Sequence, residues 1–184
     1  MVFNHLTRGR VLSASMTPAE LSEQWRTGVG EYLVKRRQVA GLTLAAIGSL
    51  GVVSLYQLGF IDHVPEPPFP GLDADTVDAS AEAYTILATP DAVLGIGSYA
   101  VTLGLVAMGS EERTAARPWL PVALALKVGF DAVVAAKLTR DQWTIHRAFC
   151  MWCLLAAGAT FASVPLVVPE AQSALRSLGQ GQRR

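Results

Sequence analysis

Both cysteines of this 184-residue chain fall in one stretch, residues 143–155, reading WTIHRAFCMWCLL. Residues three apart share a helix face, so Cys150 and Cys153 can meet across one turn. In the first turn of a helix, the unpaired N–H groups and the dipole stabilise a thiolate. His146 and Arg147, one turn before Cys150, would add positive charge and push a cysteine the same way. That is the setting of a redox dithiol. Three plainer readings compete with it. Structural zinc wants four ligands, and the chain offers only His5, His63 and His146 besides the pair. An inert disulfide and two small apolar residues packed in a helix are the others. Chemistry favours the redox reading, because the pair opens an otherwise apolar helix at its water edge.

The elements that must hold such a pair are membrane helices. At 51% hydrophobic and 16% charged residues, the composition is too apolar for an average soluble protein, and the length suits one domain. The net charge of zero says nothing about nucleic acid, but no basic, aromatic groove is visible, and no nucleic-acid partner is expected. Residues 1–37 contain no signal-type apolar core, so the first span is expected to stay uncleaved. Residues 1–16 read as a poorly ordered arm, with Met16 an alternative start of translation. Thr17-Pro18-Ala19-Glu20 then spells a capping box with proline at the first helical position. Leu21, Trp25, Val29, Tyr32 and Leu33 follow at helical spacing. Flanked by Arg26 and the run Lys35-Arg36-Arg37, this predicts an amphipathic helix on an anionic membrane surface.

Residues 39–61 are 23 positions without a charge, against the roughly 20 that cross a hydrocarbon core, and form the first predicted span. The proline-rich run 62–71 makes a stiff exit. Residues 73–89 predict a short helix on the bundle mouth, with Asp73 or Asp75 as N-cap and Tyr84, Ile86 and Leu87 on its apolar side. A connection of this length is long for mere linkage and fits a lid or docking surface. The second span covers 92–110, where Gly95, Gly97, Gly104 and Gly109 offer small packing surfaces. The third runs from 118 to about 138 and carries Lys127 and Asp131. Lysine first at i, i+4, they stand near mid-membrane, roughly 13 Å from the helix start. A proton relay and a self-neutralised pair holding helices together compete evenly there. The fourth span, 148 to about 169, holds the cysteines, Pro165 kinks its far end, and a disordered tail follows from Glu170.

Orientation follows from lysine and arginine in the short flanks. Arg8, Arg10, Arg26, Lys35, Arg36 and Arg37 precede span one, Arg113 and Arg117 separate spans two and three, and Arg176, Arg183 and Arg184 end the chain. The loop 62–91 has no basic residue and seven acidic ones. Both termini are therefore expected in the cytoplasm, with Cys150 at the outer edge, where disulfide chemistry is permitted. The expected architecture is an all-α membrane protein. It comprises a cytoplasmic arm and amphipathic helix (1–37), a four-transmembrane-helix bundle with a short helix in its first outer loop (38–169) and a cytoplasmic tail (170–184).

Four spans, an outer first loop and AFCMWCLLAAGATF opening the last span resemble the vitamin K epoxide reductase family over roughly residues 36–169. Leu87-Ala88-Thr89-Pro90, leading through Gly95-Ile96-Gly97, is a second and weaker likeness. The resemblance implies a four-helix membrane bundle in the bacterial inner membrane that oxidises a thioredoxin-like extracytoplasmic protein and passes electrons to a quinone, ubiquinone or menaquinone. Cys150 would exchange with the incoming thiol, and Cys153, one turn deeper, would face the quinone. Phe149, Trp152, Tyr99 and Phe161 would line the pocket, and Asp91 could hydrogen-bond a quinone oxygen. No metal is implied. The family usually carries a further cysteine pair in the first outer loop, and here residues 75–83 contain none. Two other readings follow: a redox-inactive scaffold or docking subunit that kept the fold, and a small transporter using Lys127 and Asp131.

Overall fold

The computed structural model describes residues 16–181, and every regular element within them is helical. Thr17 caps α1 (Pro18–Thr27) as its sequence spells. The Thr17 hydroxyl accepts from the Glu20 N–H at 3.3 Å, and the Glu20 carboxylate accepts from the Thr17 N–H at 2.8 Å. The helix stops sooner than its apolar spacing predicts. Gly28 and Gly30 both take extended backbone, Val29 between them is exposed, and α2 (Glu31–Gln57) begins at once. Two glycines so close cost more helix propensity than one apolar face returns. Tyr32, Leu33 and the basic run therefore belong to α2.

The two arginines of that run are tied into the fold. The Arg37 guanidinium donates to the carbonyls of Gln24, Trp25 and Gly28, closing the end of α1. Arg36 is buried, stacks over the Trp25 ring at 4.7 Å and donates to the carbonyls of Val106, Met108, Gly109 and Ser110. Those carbonyls end or follow α4 (Asp91–Ala107), where a helix C-terminus leaves acceptors without intrahelical partners. In apolar surroundings such acceptors must be met from within the protein, and the arginines meet them.

α2 ends four residues before Ile61 because Gly59, at φ +77°, lets the chain fold back onto the carbonyls of Tyr56 and Leu55. A loop then leads to α3 (Ala74–Asp78) and a single 3₁₀ turn, Ala81–Tyr84. Asp73 is the N-cap, accepting from the Thr76 N–H at 3.0 Å. The predicted apolar side is not buried. Ile86 and Leu87 stand in solvent, Leu87 and Ala88 have positive φ, and Ala74, Val77 and Ala83 face inward instead. After α4 come α5 (Arg113–Ala116), α6 (Trp119–Asp141), a π-helical turn Gln142–His146, and α7 (Met151–Gly181).

Helices α2, α4, α6 and α7 close into a ring, in which α2 packs on α4 and α7, and α6 on α4 and α7. Three stretches, Glu31–Gln57, Trp119–His146 and Met151–Gly179, are long and apolar enough to cross a membrane, and α4 is apolar but shorter at 17 residues. The pattern is inverted relative to a soluble bundle. Leu44, Val101, Leu126, Phe130, Val133, Leu155 and Phe161 face out, while Thr43, Ser49, Thr102, Asp131, Thr160, Ser163 and Glu170 are buried. Of the α4 glycines, Gly95 lies where a Cβ would fall 2.5 Å from Leu50, so it alone of the helical set allows the close α2–α4 approach, while Gly97 and Gly104 face open space.

The tail predicted as disordered from Glu170 is helical. α7 passes through Pro165 and Pro169 to Gly181, its inner face continuing with buried Ala171 and Ala174. Glu170 is itself buried, taking two hydrogen bonds of 2.7 Å from Arg113. A bidentate pair of this kind holds the extra turns of α7 against α5. Residues 1–15 and 182–184, with the expectations placed on them, lie outside the described residues.

Candidate active site

Helix α7 starts at Met151, so Cys150 stands at the position that caps it. The Cys153 N–H donates to the Cys150 sulfur at 3.2 Å, a sulfur taking the place an oxygen usually fills at an N-cap. The predicted meeting of the two cysteines on the first turn is thus observed, and both are free thiols. Cys150 is completely buried and its N–H donates to the Gln142 side chain at 3.1 Å, whereas Cys153 is partly exposed.

The positive charges expected beside them are not on this helix. Arg147 takes a left-handed conformation at φ +54°, which breaks the chain between the π turn and α7. Its guanidinium lies 5.7 Å over the Trp143 ring, in solvent, and His146 ends the π turn. Contiguity in sequence suggested a shared helix, and the break removes it.

A roof covers the sulfurs. The Phe149 N–H donates to the Gly71 carbonyl at 2.8 Å, and the Phe149 carbonyl accepts from the Asp73 N–H at 3.0 Å. The Glu66 carboxylate accepts from the N–H of Ala74 at 2.6 Å and of Met151 at 3.4 Å. The Trp152 indole donates to the Pro65 carbonyl at 2.7 Å, while its own carbonyl accepts from Ser49. The proline-rich loop is therefore clasped to the start of α7, and Val64, Ala74, Val77, Ala92, Ala148 and Cys150 form one packed cluster beneath it.

Into that cluster α3 projects Asp78. Its Oδ1 receives the Cys153 thiol at 3.5 Å, its Oδ2 has no partner, and the residue is 2% exposed. Burial pushes its carboxyl up to about 6; hydrogen bonds from the thiols offset part of this, and the charges of Asp91 and Glu66 add to it. Gln57 braces the arrangement, donating to the Asp78 carbonyl at 3.2 Å and to Asp91 at 2.8 Å, and accepting from the Ala92 N–H. Asp78, Gln57, Glu66 and Gln142 escape sequence reasoning. Asp78 is one of seven acids in an acidic loop, and nothing local marks it.

Of the other predicted residues, Asp91 opens α4 within this site, and Trp152 lies against its roof. The Phe149 ring is stacked on Trp143 with centroids 5.7 Å apart. Tyr99 packs on α7 just past Cys153, its hydroxyl 3.5 Å from the Ala156 carbonyl. The Tyr99 hydroxyl pairs with Thr160 at 2.7 Å, and Phe161 is turned outward. Lys127 and Asp131 do meet, at 2.6 and 2.7 Å, and Ser98 and Thr102 bond to both. This closed cluster ties α4 to α6. A cavity of about 10 Å³ beside it, lined by Tyr99, Thr102, Asp131 and Thr160, has room for one water.

Asp78, Cys150 and Cys153 place three ligand atoms within 4.8 Å of one another, one short of a closed structural zinc site. What they can do without a metal is exchange protons and disulfides. A helical membrane protein with a free dithiol at a helix start is the class that fold and site define. The vitamin K epoxide reductase family model matches residues 38–168, and the chain belongs to that family. Membership brings a membrane oxidoreductase role. Among curated proteins, none matches the chain.

Proposed function

We propose that the protein is a thiol:quinone oxidoreductase of the bacterial inner membrane. α4 serves as a fourth, short span and both termini are cytoplasmic. An extracytoplasmic thioredoxin-like dithiol reduces the Cys150–Cys153 disulfide and leaves as a disulfide. The Cys150/Cys153 dithiol then returns to the disulfide as a membrane quinone, ubiquinone or menaquinone, takes two electrons and two protons to become the quinol. The observation that carries this reading is the 3.2 Å contact from the Cys153 N–H to the Cys150 sulfur at the start of α7, which holds the two sulfurs on one helical turn as disulfide exchange between them requires.

Two features shape the route. Cys150 is buried in the cluster with Val64, Ala74 and Val77, so an incoming thiol reaches it only when the loop clasped to Phe149 opens. Cys153 is partly exposed at the start of α7, so the quinone ring approaches it from the rim, past Trp152 and Asp91. The test uses the purified full chain in nanodiscs with decyl-ubiquinone or a short menaquinone. Quinol should form from the reduced protein, Cys153→Ala should abolish it, and Cys153→Ser should trap a mixed disulfide through Cys150. Cysteines that stay redox-silent, with no partner trapped, would leave a scaffold role.

A further inference from the structure

Polar side chains meet the backbone donors around the dithiol. Gln142 takes the Cys150 N–H, Glu66 takes those of Ala74 and Met151, and Gln57 spans Asp78 and Asp91. Asp78 Oδ2 is buried and partnerless, on the carboxyl whose other oxygen receives the Cys153 thiol. A buried acceptor left open is costly unless a proton can occupy it. Among the described residues Asp78 is in no ion pair. The titratable groups facing it are the two thiols from α7, Asp91 from α4 and Glu66 from the loop, with Tyr56 of α2 within reach of its charge. A carboxylate set against a thiol in an acidic enclosure gains most by sharing that thiol's proton.

We infer that Asp78 is the proton acceptor and donor of the Cys150/Cys153 reaction, a catalytic residue supplied by the loop rather than by α7. The inference rests on the redox reading above. In the forward step the Cys153 S–H bond breaks, its proton passes to the Asp78 carboxylate, and the sulfur keeps the electron pair. The Cys150–Cys153 S–S bond then forms and two electrons leave to the quinone. The quinone takes them with two protons, one returned by Asp78 and one released by the Cys150 thiol, so the dithiol and Asp78 together balance the reduction. Reduction of the disulfide by a partner dithiol runs the same exchange in reverse, Asp78 holding a proton as Cys153 leaves. The loop fold serves this placement: Asp73 caps the short α3, and Gln57 fixes the backbone of its last residue.

The experiment has two independent readouts on reduced full-chain protein in nanodiscs. The first is the rate of Cys153 alkylation by N-ethylmaleimide, read by peptide mass spectrometry from pH 5 to 9. An ionised Asp78 opposes thiolate formation, so Asp78→Asn should shift the profile to lower pH, with alkylation about tenfold faster near pH 7.5. The two profiles should converge toward pH 5, where Asp78 is mostly protonated. The second readout is decyl-ubiquinone reduction, which Asp78→Asn should slow at least tenfold and Asp78→Glu should partly restore. Faster alkylation with slower turnover is a pairing that mere loosening of the roof does not produce. Unchanged alkylation profiles overturn the inference, even if the wild type reduces quinone. A shifted profile in a wild type that reduces no quinone overturns the proposed function and leaves the proton coupling standing.

Discussion

The Asp78 carboxyl makes the stability of this fold depend on pH. In the folded chain Asp78 titrates at about 6 against its usual 3.8, and burial is the main cause. The folded state thus holds the proton more tightly than the unfolded chain does. This stability is full below pH 3.8, declines as the pH rises through about 6, and stays lost above it. The interval corresponds to about 3 kcal/mol. Asp78→Asn cannot ionise, so it should melt several degrees above the wild type at pH 7.5 and close to it at pH 4. An equal difference at both pH values would mean that desolvation of the carboxylate is not what the site resists. The cysteines themselves were legible from their spacing, because i and i+3 meet on any first turn. Asp78 was not legible, since its distinction from Asp73 or Asp75 lies in what α3 packs against.

At the scale of elements, the loop clasped over α7 makes the two sulfurs unequal. Cys150 is fully buried in the cluster beneath the loop, so it should alkylate at least tenfold more slowly than Cys153 in the reduced protein. Glu66→Ala removes the carboxylate that joins Ala74 to Met151 and should speed Cys150 several-fold while barely moving Cys153. Equal reactivity of the two thiols before the substitution would contradict the closed roof. At the other end of the bundle, Arg36 and Arg113 cover the carbonyls of α4 with buried guanidinium groups, and Glu170 neutralises the second. Removing one partner strands a buried charge, so Glu170→Ala should cost about 3–5 kcal/mol, read as a fall in melting temperature. These elements were only half legible. Apolar runs located the long helices, but their ends depend on glycines at 28, 30 and 59 and on Arg36, whose partners lie some 70 residues away. A basic run before a span looks the same whether it faces lipid or closes a neighbouring helix.

For the molecule as a whole, the order of helices and the outward apolar belt follow from composition, because in lipid the chain has to satisfy its polar groups within itself. What the sequence leaves open is the purpose of polar groups at depth, and Lys127 with Asp131 is the sharpest case. The relay reading needs a group able to hand a proton onward. Yet Lys127 donates to both Asp131 oxygens, Ser98 and Thr102, and those hydroxyls donate back to Asp131. A cluster that satisfies itself this fully favours joining helices over moving protons. The two roles separate in a double-mutant cycle. Lys127→Met and Asp131→Leu should each destabilise the protein by leaving a lone charge in apolar surroundings, whereas the two together should recover most of the loss. Quinone reduction by the folded double variant should stay within about twofold of wild type, since Asp78 carries the proton traffic at the dithiol. A double variant that folds as well as the wild type but reduces quinone tenfold more slowly would show that the pair takes part in the chemistry, and the ring of helices would then serve as a conduit as well as a support.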